Sequence, residues 1–180
     1  MKGLNLTRPM VVIDIETTGL NKQEDRIVDI CIIKILPNGE EETLNSLINP
    51  TIPIPLESTQ IHGIKNHDVQ GKPTFKEFAQ KIIEFIKDCD LCGYEVKFDL
   101  EFLGAEFKRA GVNYQKGDSI ILDVKQIHFK LEPRDLSSAY LKYCGEILEN
   151  AHKAEEDAKA TIKVLESQLG EHIELPRDAS

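Results

Sequence analysis

The sequence has no apolar run long enough to cross a membrane and no segment that resembles a secretory signal. A membrane-spanning helix needs roughly 18–20 consecutive apolar residues, and residues 1–10 lack the apolar core of a signal peptide. Internal repeats, low-complexity segments and Gly/Ser-rich linkers are absent as well. These absences exclude an integral membrane protein and a string of tethered modules. We therefore expect a cytosolic (cytoplasmic) protein with no membrane partner.

Basic residues are fewer than acidic residues. Lys and Arg total 22 against 31 Asp and Glu, which gives a net charge of −9. A protein that coats nucleic acid needs a broad basic face, so this balance disfavours that class. An enzyme that grips only a few nucleotides is not excluded, because some of the acids can serve as metal ligands.

The cysteine spacing does not match a structural zinc site of the usual kind. The chain has four, and only Cys89 and Cys92 form a C-x-x-C pair. A structural zinc site ordinarily needs two further ligands at matching spacing. We predict reduced thiols within the core of a cytosolic protein.

The apolar patterning predicts one α/β domain over residues 1–180, with a core from about 9 to 169 and a polar tail over 171–180. Residues 10–16 carry apolar side chains on both sides, as in a central strand that is covered on both faces. Three strands come first and strands then alternate with helices, which indicates a mixed sheet with helices packed on it. The predicted strands span residues 10–16, 26–36, 41–48, 90–93 and 119–123. The predicted helices span 75–87, 99–110, 124–129, 135–143 and 153–169, the last with a buried stripe of Ala154, Ala158, Thr161, Ile162, Leu165 and Leu169.

Asp14 and Glu16 are the first candidate site residues. Side chains two apart on a strand point to the same face, so two carboxylates project together from a strand that is otherwise apolar. Two like charges side by side are costly unless a cation neutralises them. The alternative is a strand end whose acids are simply solvated.

Asp99 and Asp157 lie at two further element ends, and His152 precedes Asp157 by five residues. Asp99 stands where a strand and loop enter a helix, where a carboxylate is often only a helix N-cap. Five helical residues span about 500°, so the useful geometry places His152 on the loop before the last helix and Asp157 on its first turns. The alternative is that His152 is an ordinary surface residue whose imidazole ring is solvated.

Four acids at the ends of separate elements can converge only if cations neutralise them. Hard oxygen ligands select Mg²⁺ or Mn²⁺, and two such ions suit in-line displacement at a phosphodiester. His152 would then take the proton of the attacking water as general base.

The chain resembles the DnaQ-like 3′→5′ exonucleases, in the histidine-bearing DEDDh branch, from residue 11 to about 165. The first motif, residues 12–20, most resembles that of the polymerase III epsilon-type proofreading exonucleases. The second covers residues 93–99, and the third has the His-x₄-Asp spacing of His152 and Asp157. The segment 61–64, Ile-His-Gly-Ile, also looks like the family.

The resemblance implies an RNase H-like fold with a central mixed five-stranded sheet flanked by helices. It further implies two Mg²⁺ or Mn²⁺ ions per site, single-stranded 3′ ends as substrate and nucleoside 5′-monophosphates as products. By motif position, it makes Asp14, Glu16, Asp99 and Asp157 the metal ligands and His152 the base. It also implies a pocket for the terminal nucleotide, formed by Thr17, Thr18, Gly19, Leu20, His62 and Phe98, with core packing as the alternative for Phe98.

One departure concerns Tyr94 and Glu95, which stand where family members commonly have His-Asn or a similar pair. An ionised Glu95 can only accept hydrogen bonds and adds negative charge near phosphates, so substrate grip is in doubt more than metal binding. The main alternatives are an exoribonuclease or oligoribonuclease-like enzyme, a catalytically weak nucleic-acid-binding module, and a phosphodiesterase acting on small nucleotides. DNA is slightly favoured over RNA. A polymerase or a second copy of the chain is a candidate partner that the sequence does not identify.

Overall fold

The computed structural model describes residues 5–149 and 153–172. The chain divides after Gln126 into two compact units, and the single domain over residues 1–180 stays a prediction. The first unit contains one sheet with the strand order β3-β2-β1-β4-β5. β1 pairs antiparallel with β2 and parallel with β4, so the sheet is mixed and five-stranded as predicted. The strands are β1 (Met10–Thr17), β2 (Ile27–Ile35), β3 (Glu41–Leu47), β4 (Asp90–Gly93) and β5 (Ile121–Asp123).

Six helices are present in the described part of the chain. They are α1 (Leu56–His62), α2 (Phe75–Ile86), α3 (Val96–Ala110), α4 (Val124–Leu131), α5 (Leu136–Cys144) and α6 (Ala154–Glu171). The sequence analysis missed α1, which has seven residues and buries only Ser58. Among the described residues, no helix combines the length and apolar content needed to cross a membrane.

The two faces of β1 are both apolar along its first half, as predicted. Val11, Ile13 and Ile15 lie in the main core, where α2 and α3 contribute aromatic side chains such as Phe78 and Phe107. On the opposite face, Met10 packs with Ile35 and Cys92, and Val12 lies against them. All four cysteines are free thiols; Cys89 and Cys92 are buried as predicted, whereas Cys31 and Cys144 are half-buried.

A capping box starts α2. The Thr74 side chain accepts a hydrogen bond from the Glu77 N–H, and the Glu77 carboxylate accepts one from the Thr74 N–H at 2.7 Å. Two backbone donors at the helix end are thereby satisfied reciprocally. The helix buries Phe75, Phe78, Ala79, Ile82 and Ile86.

In the second unit, α5 and α6 pack through Tyr140, Ala160 and Val164. The stripe predicted for α6 is therefore wrong, because Ile162 and Leu165 are 58% and 52% exposed. The packed face of α6 carries the smaller Ala160 and Val164 instead, which lie one turn apart on the same side of the helix. Apolar character alone did not identify the face that meets α5.

Candidate active site

The carboxyl end of β1 carries two acids on one face of the sheet. The cross-strand partner of Asp14 on β2 is Cys31, and that of Glu16 is Asp29. Directly opposed residues of antiparallel strands place their side chains on the same face, so Asp29 adds a third carboxylate beside Glu16. The register shifts between Glu16 and Thr17, and this irregularity ends the regular pairing where the chain leaves the sheet.

Burial and neighbouring negative charge raise the pKa of two acids on this face, Glu16 and Asp29. Burial raises the pKa of Glu16, and the charges of Asp14 and Asp29 raise it further, whereas His62 lowers it. Burial likewise raises the pKa of Asp29, to which the charge of Asp14 adds and which the Ile30 N–H opposes. The negative charge at this strand end is therefore partly desolvated and concentrated.

Asp99 lies in the first turn of α3 and is only 5% exposed. Burial, together with the charges of Asp14 and Asp123, raises its pKa to about 7, although the backbone N–H groups of Asp99 and Ile15 favour ionisation. The N-cap alternative is wrong, because α3 begins at Val96 after Glu95. Asp99 therefore faces the acids of β1 from a second element.

Gly93 allows α3 to begin close to β1. A Cβ atom built on Gly93 would lie 2.9 Å from the Ile13 carbonyl oxygen and 3.1 Å from the Val96 Cβ. Contacts under 3 Å require the backbone to shift. The absence of a side chain at this position lets the β4–α3 connection pass against β1, which brings Asp99 to Asp14.

A cavity of about 380 Å³ lies beside Glu16. Five of the six residues predicted to bind substrate line this cavity, and Thr18 is the exception. Thr18 instead donates through Oγ1 to the Asp25 carboxylate at 3.0 Å. The cavity is lined by Ile15, Glu16, Thr17, Gly19, Leu20, Glu57, Ser58, Ile61, His62 and Phe98.

His62 carries an unsatisfied donor at this cavity. Its Nδ1 accepts a hydrogen bond from the Ile64 N–H at 3.1 Å, so a neutral ring carries its proton on Nε2. That Nε2 atom is buried and has no hydrogen-bond partner among the described residues. Such buried groups are usually satisfied, and a ligand in the cavity would supply an acceptor.

Phe98 contacts both the core and the cavity, and its role in substrate binding stays a prediction. Its ring lies 4.8 Å from that of Phe102 and packs against the main core. The same side chain lines the cavity. Leu20, which also lines the cavity, is 85% exposed.

Asp157 lies in the first turn of α6, as predicted, and is half-buried. His152 lies outside the described residues, so its role as base stays a prediction. Within residues 5–149 and 153–172, no three His, Cys, Asp or Glu side chains form a group that could hold a metal ion. The fit to a divalent cation rests instead on the donor chemistry, since a cation stabilises the ionised form of partly buried carboxylates such as Glu16 and Asp99, whose pKa is raised.

Tyr94 and Glu95 are the two residues at which the sequence departs from the family pattern. Tyr94 is 61% exposed. Glu95 has a left-handed backbone (φ 67°), a conformation that Asn adopts more readily than Glu. Its carboxylate pairs with Lys125, so part of the extra negative charge is compensated.

Five further residues at the site were not predicted as site residues, and one of them is Ile15 on β1. Glu57, Ser58 and Ile61 reach the cavity from α1, whose short, exposed sequence gave no helical pattern. Asp29 is a carboxylate within an apolar strand, and that contrast is a signal that could have found it.

The chain shares its fold with solved structures. Among solved structures, the chain resembles a product-bound exonuclease I, with a TM-score of 0.63 and 18% identity over 92% of this chain and 44% of that one. A zinc-bound complex of E. coli exonuclease I with single-stranded DNA gives a TM-score of 0.62 and 21% identity over 92% and 42%. These similarities establish the RNase H-like fold.

The family follows from the sequence comparison. The RNase_T family model, described as an exonuclease, matches residues 11–165. The chain therefore belongs to this exonuclease family, which confirms the resemblance to DnaQ-like exonucleases. It is also 32% identical over 169 residues to the PolC-type DNA polymerase III of Caldanaerobacter subterraneus subsp. tengcongensis, covering 92% of this chain and 12% of the relative. A second relative, the 3′-5′ exonuclease DinG of Staphylococcus aureus (strain USA300), is 32% identical over 168 residues, covering 93% of this chain and 19% of the relative. The chain thus spans less than a fifth of the length of these curated relatives.

Proposed function

We propose that this chain is a metal-dependent 3′→5′ exonuclease that removes nucleoside 5′-monophosphates from single-stranded nucleic acid. One observation carries the proposal: the buried Asp99 carboxylate, with its pKa raised to about 7, faces the acids of β1 beside a cavity of nucleotide size. A folded protein tolerates such a costly arrangement when the site has a use for concentrated negative charge. Family membership supplies the reaction class.

The metal ligands in this proposal are Asp14, Glu16, Asp99 and Asp157, and they would hold two Mg²⁺ or Mn²⁺ ions. Oxygen donors match these hard cations. When bound, the divalent ions supply Lewis-acid stabilisation of the charge that develops on the phosphate. Exonucleases of this family generally use divalent metals.

The terminal nucleotide would occupy the cavity next to Glu16. The Thr17 N–H would meet the 3′-hydroxyl, and the exposed Leu20 side chain would wedge against a base. His62 offers its buried Nε2–H as a donor, and Phe98 offers an aromatic face. Aromatic stacking tolerates every base, so we expect little sequence preference.

His152 would act as general base. A water molecule attacks the phosphorus atom, its proton passes to His152, and the P–O3′ bond breaks. The shortened strand keeps the O3′ oxygen, and the released nucleotide keeps the 5′-phosphate. The loop position of His152, ahead of α6, rests on the sequence spacing.

Single-stranded DNA is the substrate we favour over RNA. The exonuclease I neighbours were solved with single-stranded DNA oligonucleotides, and one relative is a DNA polymerase III. Recognition of RNA would require contacts to the 2′-hydroxyl. The alternative within the same reaction class is an exoribonuclease, and a polymerase partner is a further proposal on the same support.

A 5′-labelled oligonucleotide tests the function directly. In Mg²⁺ or Mn²⁺ we expect a ladder that shortens from the 3′ end, and no reaction in EDTA. Asp14→Ala and Asp157→Ala should abolish the ladder, whereas Asp118→Asn should not, since that side chain is 94% exposed. Parallel digestion of matched single-stranded DNA, duplex DNA and RNA identifies the substrate.

A second candidate is a binding module of the same fold with little turnover. The Glu95 departure favours it, although the ion pair with Lys125 weakens that argument. Oligonucleotide binding with no ladder at high protein concentration would support the module and contradict the exonuclease. Cleavage of a chromogenic thymidine ester with intact oligonucleotides would instead indicate a small-nucleotide phosphodiesterase.

A further inference from the structure

The turn that follows β1 is shaped by one carboxylate outside the motif. Asp25 Oδ1 accepts a hydrogen bond from Thr18 Oγ1 at 3.0 Å, and Asp25 Oδ2 accepts one from the Asn21 N–H at 2.8 Å. The Thr18 hydroxyl in turn accepts from the Arg26 N–H at 3.0 Å. A single side chain therefore joins both ends of the loop that carries Gly19.

Gly19 is required by the position of Asp25 rather than by its own backbone angles. A Cβ atom built on Gly19 would lie 2.5 Å from Asp25 Oδ2 and 2.7 Å from Asp25 Cγ. Real Cβ atoms essentially never approach that closely. The turn and the carboxylate thus fit together only while residue 19 has no side chain.

The loop is anchored on its outer side to α3. Arg109, in the last turn of this helix, donates to the Lys22 carbonyl at 2.9 Å and to the Asp25 carbonyl at 3.1 Å. Arg109 itself pairs at 3.0 Å with Glu106, whose side chain is 5% exposed. The helix that presents Asp99 at its start therefore holds the loop at its end.

On its inner side the turn is anchored to α1. Ser58 Oγ donates to the Thr18 carbonyl at 2.7 Å, and Thr18 is only 2% exposed. The segment between Thr17 and Leu20 is thereby held from both sides, while Leu20 remains exposed beside the cavity.

We propose that Asp25 is a positioning residue for the substrate, because its carboxylate holds the Thr17–Leu20 turn in the shape that receives the 3′-terminal nucleotide. This inference rests on the proposed function, and it assigns to Asp25 a role in binding rather than in the chemical step. The turn contacts the nucleotide before and during reaction, so its loss removes interactions common to the ground and transition states. Such a loss raises KM while kcat changes little.

The test compares Asp25→Ala with Asp135→Ala in steady-state digestion of a 5′-labelled oligonucleotide. Asp135 is a matched control, because it also accepts one backbone N–H (Ser138, 2.9 Å) and one hydroxyl (Ser138 Oγ, 3.0 Å), but at the start of α5. Loss of two hydrogen bonds to a carboxylate should raise KM on the order of tenfold in Asp25→Ala, with kcat within about threefold. Asp135→Ala should leave KM within about twofold despite a similar loss of stability.

Two further variants keep the test decisive. Asp25→Asn preserves the shape and one acceptor, so it should fold and show an intermediate KM. Gly19→Ala should be deleterious alone yet add no further loss in the Asp25→Ala background, where the obstructing carboxylate is gone.

An unchanged KM in Asp25→Asn and Asp25→Ala, with wild-type protein active, would overturn the positioning role alone. An equal rise of KM in Asp135→Ala would overturn it as well. A wild-type protein that leaves every oligonucleotide intact would overturn the proposed function, and the substrate role of Asp25 with it.

Discussion

The buried Asp99 carboxylate predicts a distinctive dependence of stability on pH. Its pKa in the folded protein is about 7, against an ordinary value of 3.8. Between these values the folded protein holds a proton that the unfolded chain has released. Stability of the metal-free protein therefore falls as pH rises from about 4 to about 7, because deprotonation favours the unfolded chain.

The magnitude follows from the size of the shift. A displacement of about three pH units at about 1.4 kcal/mol each corresponds to about 4 kcal/mol. Asp99→Asn keeps the shape and a carbonyl acceptor but has no charge to desolvate. Relative to wild type, the variant should therefore gain about 4 kcal/mol in free energy of unfolding between pH 4 and pH 8.

Urea unfolding in EDTA at pH 4, 6 and 8 measures this difference. Asp118→Asn is the control, since the Asp118 side chain is 94% exposed and its removal should give a difference that changes little with pH. A difference between Asp99→Asn and wild type that stays constant from pH 4 to pH 8 would refute the raised pKa. It would also remove the electrostatic argument for a cation site.

Three other substitutions test separate parts of the structure. Gly93→Ala should lower the free energy of unfolding by about 1–3 kcal/mol, because its Cβ would meet the Ile13 carbonyl at 2.9 Å, and chemical denaturation checks it. Glu95→Asn should raise the melting temperature, because Asn adopts the left-handed backbone conformation at about 1 kcal/mol less cost than Glu. The exposed ion pair with Lys125 that the variant loses contributes less than this. A lower melting temperature would contradict the prediction. Glu106→Ala should cost about 2–3 kcal/mol, since Arg109 loses its buried partner; the pH 7 unfolding midpoint measures it, and an unchanged midpoint would show that the pair contributes nothing.

The sequence predicted the strands well where burial dictates the pattern. In β1 and β2 both faces need apolar side chains, and the predicted limits 10–16 and 26–36 agree with Met10–Thr17 and Ile27–Ile35. The start of α3 was placed three residues late, because the helix follows a left-handed Glu95 with no side-chain cap. No particular residue type marks a helix start of this kind in the sequence.

Only part of the candidate site could be predicted from the sequence, because some of its contacts depend on tertiary structure. The twofold period of a strand put Asp14 and Glu16 on one face, and the structure places them there. Asp29 stands out as a carboxylate within an apolar strand, but its place opposite Glu16 depends on strand register rather than on local sequence. The side chain of Thr18 was assigned to the substrate pocket, yet it points to Asp25, a contact between residues seven positions apart that no local pattern encodes.

Titration of metal-free protein with Mn²⁺ by isothermal calorimetry measures whether these carboxylates bind a cation together. We expect saturable binding in wild type, strongly weakened in both Asp14→Ala and Asp157→Ala and retained in Asp118→Asn. Binding that is absent in wild type, or that survives unchanged in Asp14→Ala and Asp157→Ala, would contradict the assignment of these carboxylates to a shared cation site.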